Sequence, residues 1–242
     1  MRYVAQIIKR FKLMALTHKL NSRDTAQALK ISDCELMHLR EKGAIAYEKR
    51  GRAFFYSLPA GYSVLTHPLG QNLLNWYKGK HDFLQPNTPI IDSSTLALEE
   101  LVYEILLPIN QALGKPIITY GFTSFSLKKF IQKLSPSGTA PTLDQHSSHE
   151  TNSVGKQICS RGGAACDFFV EGVATSDIVR FITQRLNYDR IYYYGNNRPF
   201  HVSIHLTEPL KHLQIMCESV NGRRYPGKKA FGDQAAILAE EL

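Results

Sequence analysis

The order of helical and strand-like patterns along the chain is the strongest constraint on its fold. Apolar residues recur at helical spacing from Leu96 to Leu113, and Gly114-Lys115-Pro116 then separates them from the strand-like run Ile117-Ile118-Thr119-Tyr120. Later patterns predict a helix at Ser126 to Leu134, a strand at Cys166 to Val170, a helix at Ser176 to Leu186, and strands at Arg190 to Tyr194 and Phe200 to His205. This order predicts an α+β fold.

Charge is unevenly distributed over the 242 residues. The whole chain has a formal net charge of +8, and the segment through Ala60 contains twelve Lys or Arg against five Asp or Glu, a net charge of +7. A concentration of positive charge in one segment is typical of a protein with a polyanionic partner. We therefore expect the first quarter of the chain to contact DNA.

The same segment carries the signals of three short helices followed by a hairpin. Helices are predicted at Tyr3 to His18, at Ser22 to Lys30 with Ser22 as the cap, and at Ser32 to Glu41, where Ser32 and Glu35 form a capping box and Gly43 ends the helix. A hairpin is predicted from Ala44 to Ser57, with Lys49-Arg50-Gly51-Arg52 at its tip. Three helices and a basic hairpin make a winged helix.

The run "TAQALKISDCELMHLREKGAIAYEKRGRAFFYSL" resembles the helix-turn-helix domains of MerR and excisionase type. The resemblance implies that the helix bearing Arg40 enters a DNA groove while Lys49, Arg50 and Arg52 contact phosphates. Small winged helices also mediate protein contacts, so a basic protein-docking domain is the alternative. We predict a winged helix-turn-helix over residues 1–60 and a connector over residues 61–90.

Five ionisable residues in the second half of the chain have the chemistry of a zinc site: His146, His149, Asp167, His201 and His205. Two neutral imidazoles and one carboxylate leave the fourth position of a tetrahedral zinc ion open to water or substrate, which is the pattern of catalytic rather than structural zinc. The spacing alone does not say which histidines bind.

Four stretches, "LVYEILLPINQALGKPIITYGFTS", "SSH", "GGAACDFFV" and "YDRIYYYGNNRPFHVSI", resemble in order the zinc D-alanyl-D-alanine carboxypeptidases, a family that includes phage endolysin peptidases and shares its fold with Hedgehog. The resemblance implies a zinc domain with a central antiparallel sheet over residues 91–242. It implies Asp167 and His201 as ligands, with His149 or its neighbour His146 as the third. A peptide or other amide is the substrate class implied.

Two catalytic features of that family are missing from the matching positions. Tyr120-Gly121-Phe122-Thr123-Ser124 lacks the arginine that grips a substrate carboxylate, and Arg198 stands where the general base is expected. Glu150 and Asp144 are weak replacement candidates for the base. An insertion, "ETNSVGKQICSRG", separates His149 from Asp167 and leaves the choice between His146 and His149 open.

Three functions fit these patterns. The first is a cytoplasmic zinc-dependent hydrolase directed to DNA by its basic module; the second is a non-enzymatic nucleic-acid-binding regulator, or a defence or mobile-element factor, with a degenerate peptidase fold; the third is a phage-type cell-wall endopeptidase. No membrane partner is expected, because no apolar run is long enough to span a bilayer. The stretch "NGRRYPGKKAFG" is interpreted as a solvated loop, with a second polyanion contact as the alternative. Tyr192-Tyr193-Tyr194 is interpreted as sheet packing, and the alternative is that these tyrosines, with Arg190 and Arg198, stack and pair with nucleotides.

Overall fold

A computed structural model describes residues 18–134 and 145–242. The chain divides into two compact units, Met1–Gln71 and Asn72–Leu242. The predicted first helix lies outside the described residues except for His18, and so does Asp144.

The N-terminal unit contains the short helices and the hairpin that its turn signals indicate. Its elements are strand β1 (Leu20–Asn21), helix α1 (Ser22–Leu29), helix α2 (Asp33–Glu41), strands β2 (Tyr47–Arg50) and β3 (Ala53–Tyr56), and a 3₁₀ turn (Val64–Thr66). Helix α3 (Pro68–Asn75) runs across the boundary between the units. The strands form an antiparallel sheet in the order β1-β3-β2.

Capping residues set the ends of both helices. The cap of α1 is Asn21, whose side chain accepts a hydrogen bond from the Asp24 amide, so the prediction of Ser22 as the cap was wrong by one residue. At α2 the predicted capping box is confirmed, because Ser32 and Glu35 each bond the other's backbone amide. Gly43 follows α2 with a φ of +67°, a left-handed conformation that favours glycine.

The second unit is built on a six-stranded sheet. Its helices are α4 (Asp92–Leu101), continued by a π-helical segment (Val102–Leu106), α5 (Leu107–Ala112), α6 (Phe125–Leu134), α7 (Thr175–Arg185) and α8 (Asp233–Glu240). Its strands are β4 (Pro116–Tyr120), β5 (Ala164–Val170), β6 (Arg190–Tyr193), β7 (Phe200–Ile204), β8 (His212–Glu218) and β9 (Arg224–Phe231). The strand order is β4-β5-β7-β6-β8-β9.

The molecule is therefore α+β, but the large sheet is mixed rather than antiparallel as predicted. Strands β6 and β8 pair in parallel, with Arg190 opposite His212, and all other neighbouring strands of the sheet are antiparallel. The parallel pair arises because β7 returns beside β6 as a hairpin partner, and the chain then crosses to the free edge of β6 to form β8. The sequence signals did not include β8, so they could not reveal this crossing.

Alternation along the strands gives the large sheet two different faces. One set of side chains is apolar and fully buried: Cys166, Phe168, Phe200, Val202, Ile191 and Leu213. Helices α4 and α7 pack against β5, β7 and β6. The opposite set is largely polar and includes one continuous row of register partners, Tyr120, Asp167, His201, Tyr192, Gln214 and Lys229. The candidate ligands Asp167 and His201 are therefore side by side at the centre of the polar face.

The prediction of a solvated loop at "NGRRYPGKKAFG" was wrong. Arg224–Phe231 forms β9, the edge strand of the large sheet. An edge strand tolerates Pro226 because one side of its backbone needs no hydrogen-bond partner. Charged side chains such as Lys228 and Lys229 are common on edge strands, where they discourage pairing with the edge of another sheet. The features that suggested a loop are those of a protected sheet edge. Within residues 18–134 and 145–242, no helix has the length and apolarity needed to cross a membrane.

Candidate metal centre

Three of the predicted ligands meet on the polar face of the large sheet. His146 lies in a 3₁₀ turn (Gln145–Ser147), Asp167 on β5 and His201 on β7, and one ligand atom from each lies within 4.8 Å of the other two. Asp167 and His201 are direct register partners on antiparallel strands, which fixes their separation. Two strands and one turn thus bring residues 146, 167 and 201 together.

Both histidines point a ring nitrogen at the same carboxylate oxygen. His146 Nε2 lies 3.2 Å from Asp167 Oδ1, and His201 Nδ1 lies 2.9 Å from that atom. His146 Nδ1 lies 3.1 Å from the Gly121 carbonyl oxygen. Because a carbonyl only accepts hydrogen bonds, Nδ1 of His146 is the protonated nitrogen.

This hydrogen bond provides a test of whether the residues fit a metal ion. In a neutral His146 ring, protonation at Nδ1 leaves a lone pair on Nε2, and that lone pair faces the lone pairs of Asp167 Oδ1. Only a proton or a cation between the two atoms satisfies both. The bond from His146 Nδ1 to the Gly121 carbonyl is also of the kind that supports a metal-binding histidine, whose non-ligating nitrogen usually donates to a backbone carbonyl or a carboxylate. The site therefore fits a metal ion of the kind that nitrogen and oxygen ligands bind, such as zinc.

The electrostatics of Asp167 favour its charged form. Burial alone raises the pKa of the Asp167 carboxyl, but the imidazoles of His146 and His201 outweigh that effect and hold the pKa well below its ordinary range. The side chain keeps 29% exposure, whereas those of His146 and His201 keep 3% and 9%. The carboxylate thus favours its ionised form, which is the form that binds a metal ion, and it keeps partial exposure.

His149 takes no part in this cluster. Its Nε2 accepts a hydrogen bond of 3.0 Å from the Gly163 amide, and burial followed by the charge of His205 lowers its pKa. His205 Nε2 lies 3.2 Å from the Arg161 carbonyl oxygen, away from the three ligands. Of the two histidines left open by the sequence, the structure brings His146 to Asp167 and His201.

Glu150, one of the two candidate bases, has a structural contact instead. It is 2% exposed, and its Oε1 accepts hydrogen bonds from the backbone amides of Ile90 and Ile91, at the start of α4. A carboxylate in this position also interacts favourably with the helix dipole. The side chain is therefore engaged at the helix start rather than at the metal centre.

The structure also shows the surroundings of Phe122 and Arg198, which lie near the positions where the resemblance leads one to expect the arginine clamp and the general base. Phe122 is fully buried, and its carbonyl accepts hydrogen bonds from Trp76 Nε1 and Asn87 Nδ2. Arg198 pairs with Glu218 at 2.6 Å on the surface. Arg198 also lines a cleft of about 450 Å³, together with Phe169, Glu171 and Asn196 among others. Phe169 lies two residues after Asp167 on β5, and the residues that line the cleft do not include the three ligands.

A further group of polar residues lies beside the ligands on the same face. Tyr192 lies across His201 with ring centroids 5.2 Å apart, and its other neighbour is His212 at 6.1 Å. Arg190 Nη1 lies 3.4 Å from the Tyr192 hydroxyl. The sequence marked Tyr192 and Arg190 as a possible stacking group, but only the register with β7 and β8 reveals that they share the ligand face.

The predicted nucleic-acid contacts of the N-terminal unit differ in their availability. Arg40 stacks over the Phe54 ring at 4.0 Å, and Arg50 forms a hydrogen-bonded ion pair with Glu48 at 2.9 Å. Glu48 also bonds Lys19. The hydrogen bond from Arg50, followed by the one from Lys19, lowers the pKa of Glu48 to about 2. Lys49 and Arg52 are both exposed. The tip of the described hairpin thus presents three exposed cations, and Glu48 compensates the charge of Arg50.

Searches of protein-family models, curated proteins and solved structures returned no match to this chain.

Proposed function

We propose that this chain is a metal-dependent hydrolase whose zinc ion is held by His146, Asp167 and His201. The convergence of two imidazoles and one ionised carboxylate within 4.8 Å is the observation that carries the proposal. Three protein ligands of these types are the usual set of a catalytic zinc, which keeps a further position for water or substrate. When bound, the ion polarises a substrate oxygen and makes water nucleophilic at neutral pH.

The residues around the ligands orient the ligand side chains and border the site. The Gly121 carbonyl fixes the ring of His146, and pairing between β5 and β7 fixes Asp167 against His201. Helix-side packing of Phe168 and Phe200, whose rings lie 4.7 Å apart, keeps the two strands rigid behind the ligands. Tyr192 borders the open side. A peptide or another amide is the substrate class we propose, on the resemblance to zinc carboxypeptidases.

For the N-terminal unit we propose a winged helix that binds DNA. The capped helices α1 and α2, the basic hairpin and the net charge of +7 through residue 60 support it. Lys49 and Arg52 would contact phosphates directly. Arg40 and Arg50 would have to exchange an intramolecular contact for one with DNA, since Arg40 stacks on Phe54 and Arg50 pairs with Glu48.

A second candidate function is a DNA-binding protein whose metal centre has no catalytic role. Among residues 18–134 and 145–242, the only carboxylate in the ligand cluster is Asp167, and Glu150 is engaged by the start of α4. Without a base on the attacking water, hydrolysis loses roughly 10²–10⁴-fold in rate. Metal binding without turnover would favour this candidate.

Two measurements test the proposal. Elemental analysis of purified protein is expected to give about one zinc per chain in the wild type and in the control His205→Ala, and almost none in Asp167→Ala and His201→Ala. Zinc-loaded protein is then incubated with a panel of peptides, amides and purified peptidoglycan. Equal zinc in all four proteins would overturn the metal centre, whereas bound zinc with an inert panel would select the non-catalytic candidate.

A further inference from the structure

A second row of side chains crosses the polar face of the large sheet, one step along the strands from the ligand row. The register joins Ala165, Ser203, Arg190, His212 and Phe231 in that order across five strands. Side chains two residues apart on a strand point to the same face, so Ser203 follows His201 and Arg190 precedes Tyr192 on the ligand side. This second row therefore adjoins the metal centre.

Three neighbouring members of the row hold buried polar atoms that no described group bonds. They are Ser203 Oγ, Arg190 Nε and His212 Nε2. Ser203 is fully buried and His212 is 8% exposed, while Arg190 keeps 22% side-chain exposure. Buried polar atoms are nearly always hydrogen-bonded, and leaving one without a partner costs roughly 1–3 kcal/mol. Three such atoms side by side indicate that a polar partner belongs there.

Arg190 brings a positive charge that its own surroundings compensate only in part. The nearest described carboxylate is Asp189, whose Oδ2 is 3.8 Å from Arg190 Nε, beyond hydrogen-bond distance. Asp189 is already satisfied by hydrogen bonds from Arg161, Gln145 and the Leu210 amide. The bidentate pair with Arg161 neutralises that carboxylate, so the charge of Arg190 remains available to a ligand.

Other groups on the face have the same sign or donate hydrogen bonds. Lys229 ends the ligand row on β9 and is exposed, and burial followed by the charges of Arg190 and Lys229 lowers the pKa of His212. Tyr192 presents a hydroxyl next to Arg190. In the two rows, on the described strands, Asp167 is the only carboxylate. A site of this kind favours an anion over a neutral group.

We propose that Arg190, Tyr192 and His212 form an anion-binding subsite that holds a carboxylate or phosphate group of the substrate beside the metal centre. This inference rests on the proposed function of that centre and names its substrate class as anionic. Arg190 supplies the charge and a planar pair of donors, His212 Nε2 supplies a second buried contact, and Tyr192 joins the subsite to His201. The ring of Phe231 stacks on His212 with centroids 4.5 Å apart and forms the border of the subsite on that side.

Anion titrations followed by nitrogen NMR of the histidine rings test the subsite. Chelator-treated full-length protein is titrated separately with inorganic phosphate and with acetate, so that no metal can bind the anion. We expect a saturable shift of the His212 ring signal, with phosphate or acetate binding more tightly according to the group the subsite accepts. Arg190→Gln is expected to weaken that binding at least about tenfold, the usual effect of losing one charged hydrogen-bond donor.

Controls separate this subsite from general charge effects and from misfolding. Arg198→Gln removes the same charge from the same domain but loses a pair with Glu218 instead, so it should bind the anion like the wild type. Tyr192→Phe removes only a hydroxyl and should weaken binding while leaving the fold intact by circular dichroism. No saturable shift with either anion, or an equal shift in Arg190→Gln and wild type, would overturn the subsite and leave buried water as the partner. Because the titration uses metal-free protein, its failure is distinct from a failure of zinc binding.

Discussion

The basic hairpin of the N-terminal unit and the His/Asp/His cluster of the C-terminal unit both gather charged side chains, but by different physical means. In the hairpin, Arg50 and its partner Glu48 are two residues apart and 58% and 41% exposed. In the cluster, Asp167 and its two histidine neighbours come from three separate elements and are largely buried. Exposed pairs contribute little to stability, whereas buried ones are costly unless they are fully partnered. The buried cluster is therefore the stronger indication of a function.

Glycine substitutions should separate the two regions most strongly. Gly51 in the hairpin turn and Gly163 before β5 both have a positive φ, but a Cβ on Gly51 would meet nothing within 4 Å, whereas one on Gly163 would lie 2.1 Å from the Ile204 carbonyl oxygen. We expect Gly51→Ala to lower the free energy of unfolding by about 1 kcal/mol and Gly163→Ala by at least about 3 kcal/mol. Urea unfolding of both variants measures the difference, and equal losses would contradict the crowding at Gly163.

Metal removal should affect the cluster and leave the hairpin alone. A zinc concentration 100 times the dissociation constant stabilises the folded protein by about 2.7 kcal/mol, because the ion binds only the assembled ligands. Chelation is therefore expected to lower the thermal unfolding midpoint of the wild type. Asp167→Asn is the control and should not respond to zinc or chelator. A wild-type midpoint that chelation leaves unchanged would remove the stabilising role of the site.

The hairpin should be detected through the salt dependence of DNA binding. Replacing both Lys49 and Arg52 by alanine removes two proposed phosphate contacts. Affinity should then fall less steeply with salt, with the magnitude of the slope of log affinity against log salt smaller by about 2. Arg50→Ala should change it less, because Glu48 already compensates that charge. Glu48→Gln frees Arg50 and Lys19 and should raise affinity. Fluorescence anisotropy measures all four proteins, and an affinity independent of salt would exclude a phosphate-binding wing.

The smallest expected effect is a loss of thermal stability at low pH, which arises from a histidine near the metal cluster but outside it, His149. Burial lowers the pKa of His149 in the folded protein, so the unfolded chain binds the proton first and stability falls as the pH drops through the unfolded pKa toward the folded one. Metal-free wild type should thus unfold at a lower temperature at pH 5.5 than at pH 7.5. His149→Gln keeps an acceptor for the Gly163 amide and should show a smaller pH difference. An identical difference in both proteins would exclude His149 as a contributor.

Local signals predicted most of the elements, and long-range pairing accounts for what they missed. The capping box of Ser32 and Glu35 identified α2 because both residues act within one helical turn. Strands β8 and β9 and helix α8 were not predicted. Strand β9 contains Pro226 and Gly227, and such an edge strand looks like a loop until its partner strand is known. Element boundaries shifted by up to four residues, since the helix predicted from Leu96 begins at Asp92.

The candidate site was predictable in its chemistry but not in its membership. Residue type gave five candidates, and the resemblance to zinc carboxypeptidases selected Asp167 and His201 among them, although their direct register needs the folded sheet. His146 and His149 are three residues apart, and Ser148 between them has a φ of +48°, which turns the chain so that the two rings face different surroundings. A left-handed serine has no reliable sequence signature. The sequence did not reveal that Arg190 lies beside His212, because the parallel pairing of β6 with β8 brings them together.

The choice between these two histidines is the most direct test of the account. Zinc content is measured by elemental analysis in a matched pair, His146→Gln and His149→Gln, after checking that both fold by circular dichroism. We expect His146→Gln to lose nearly all bound zinc and His149→Gln to keep the wild-type amount, because His146 faces Asp167 whereas His149 bonds the Gly163 amide. Retention of zinc by His146→Gln together with its loss from His149→Gln would contradict the metal centre described above.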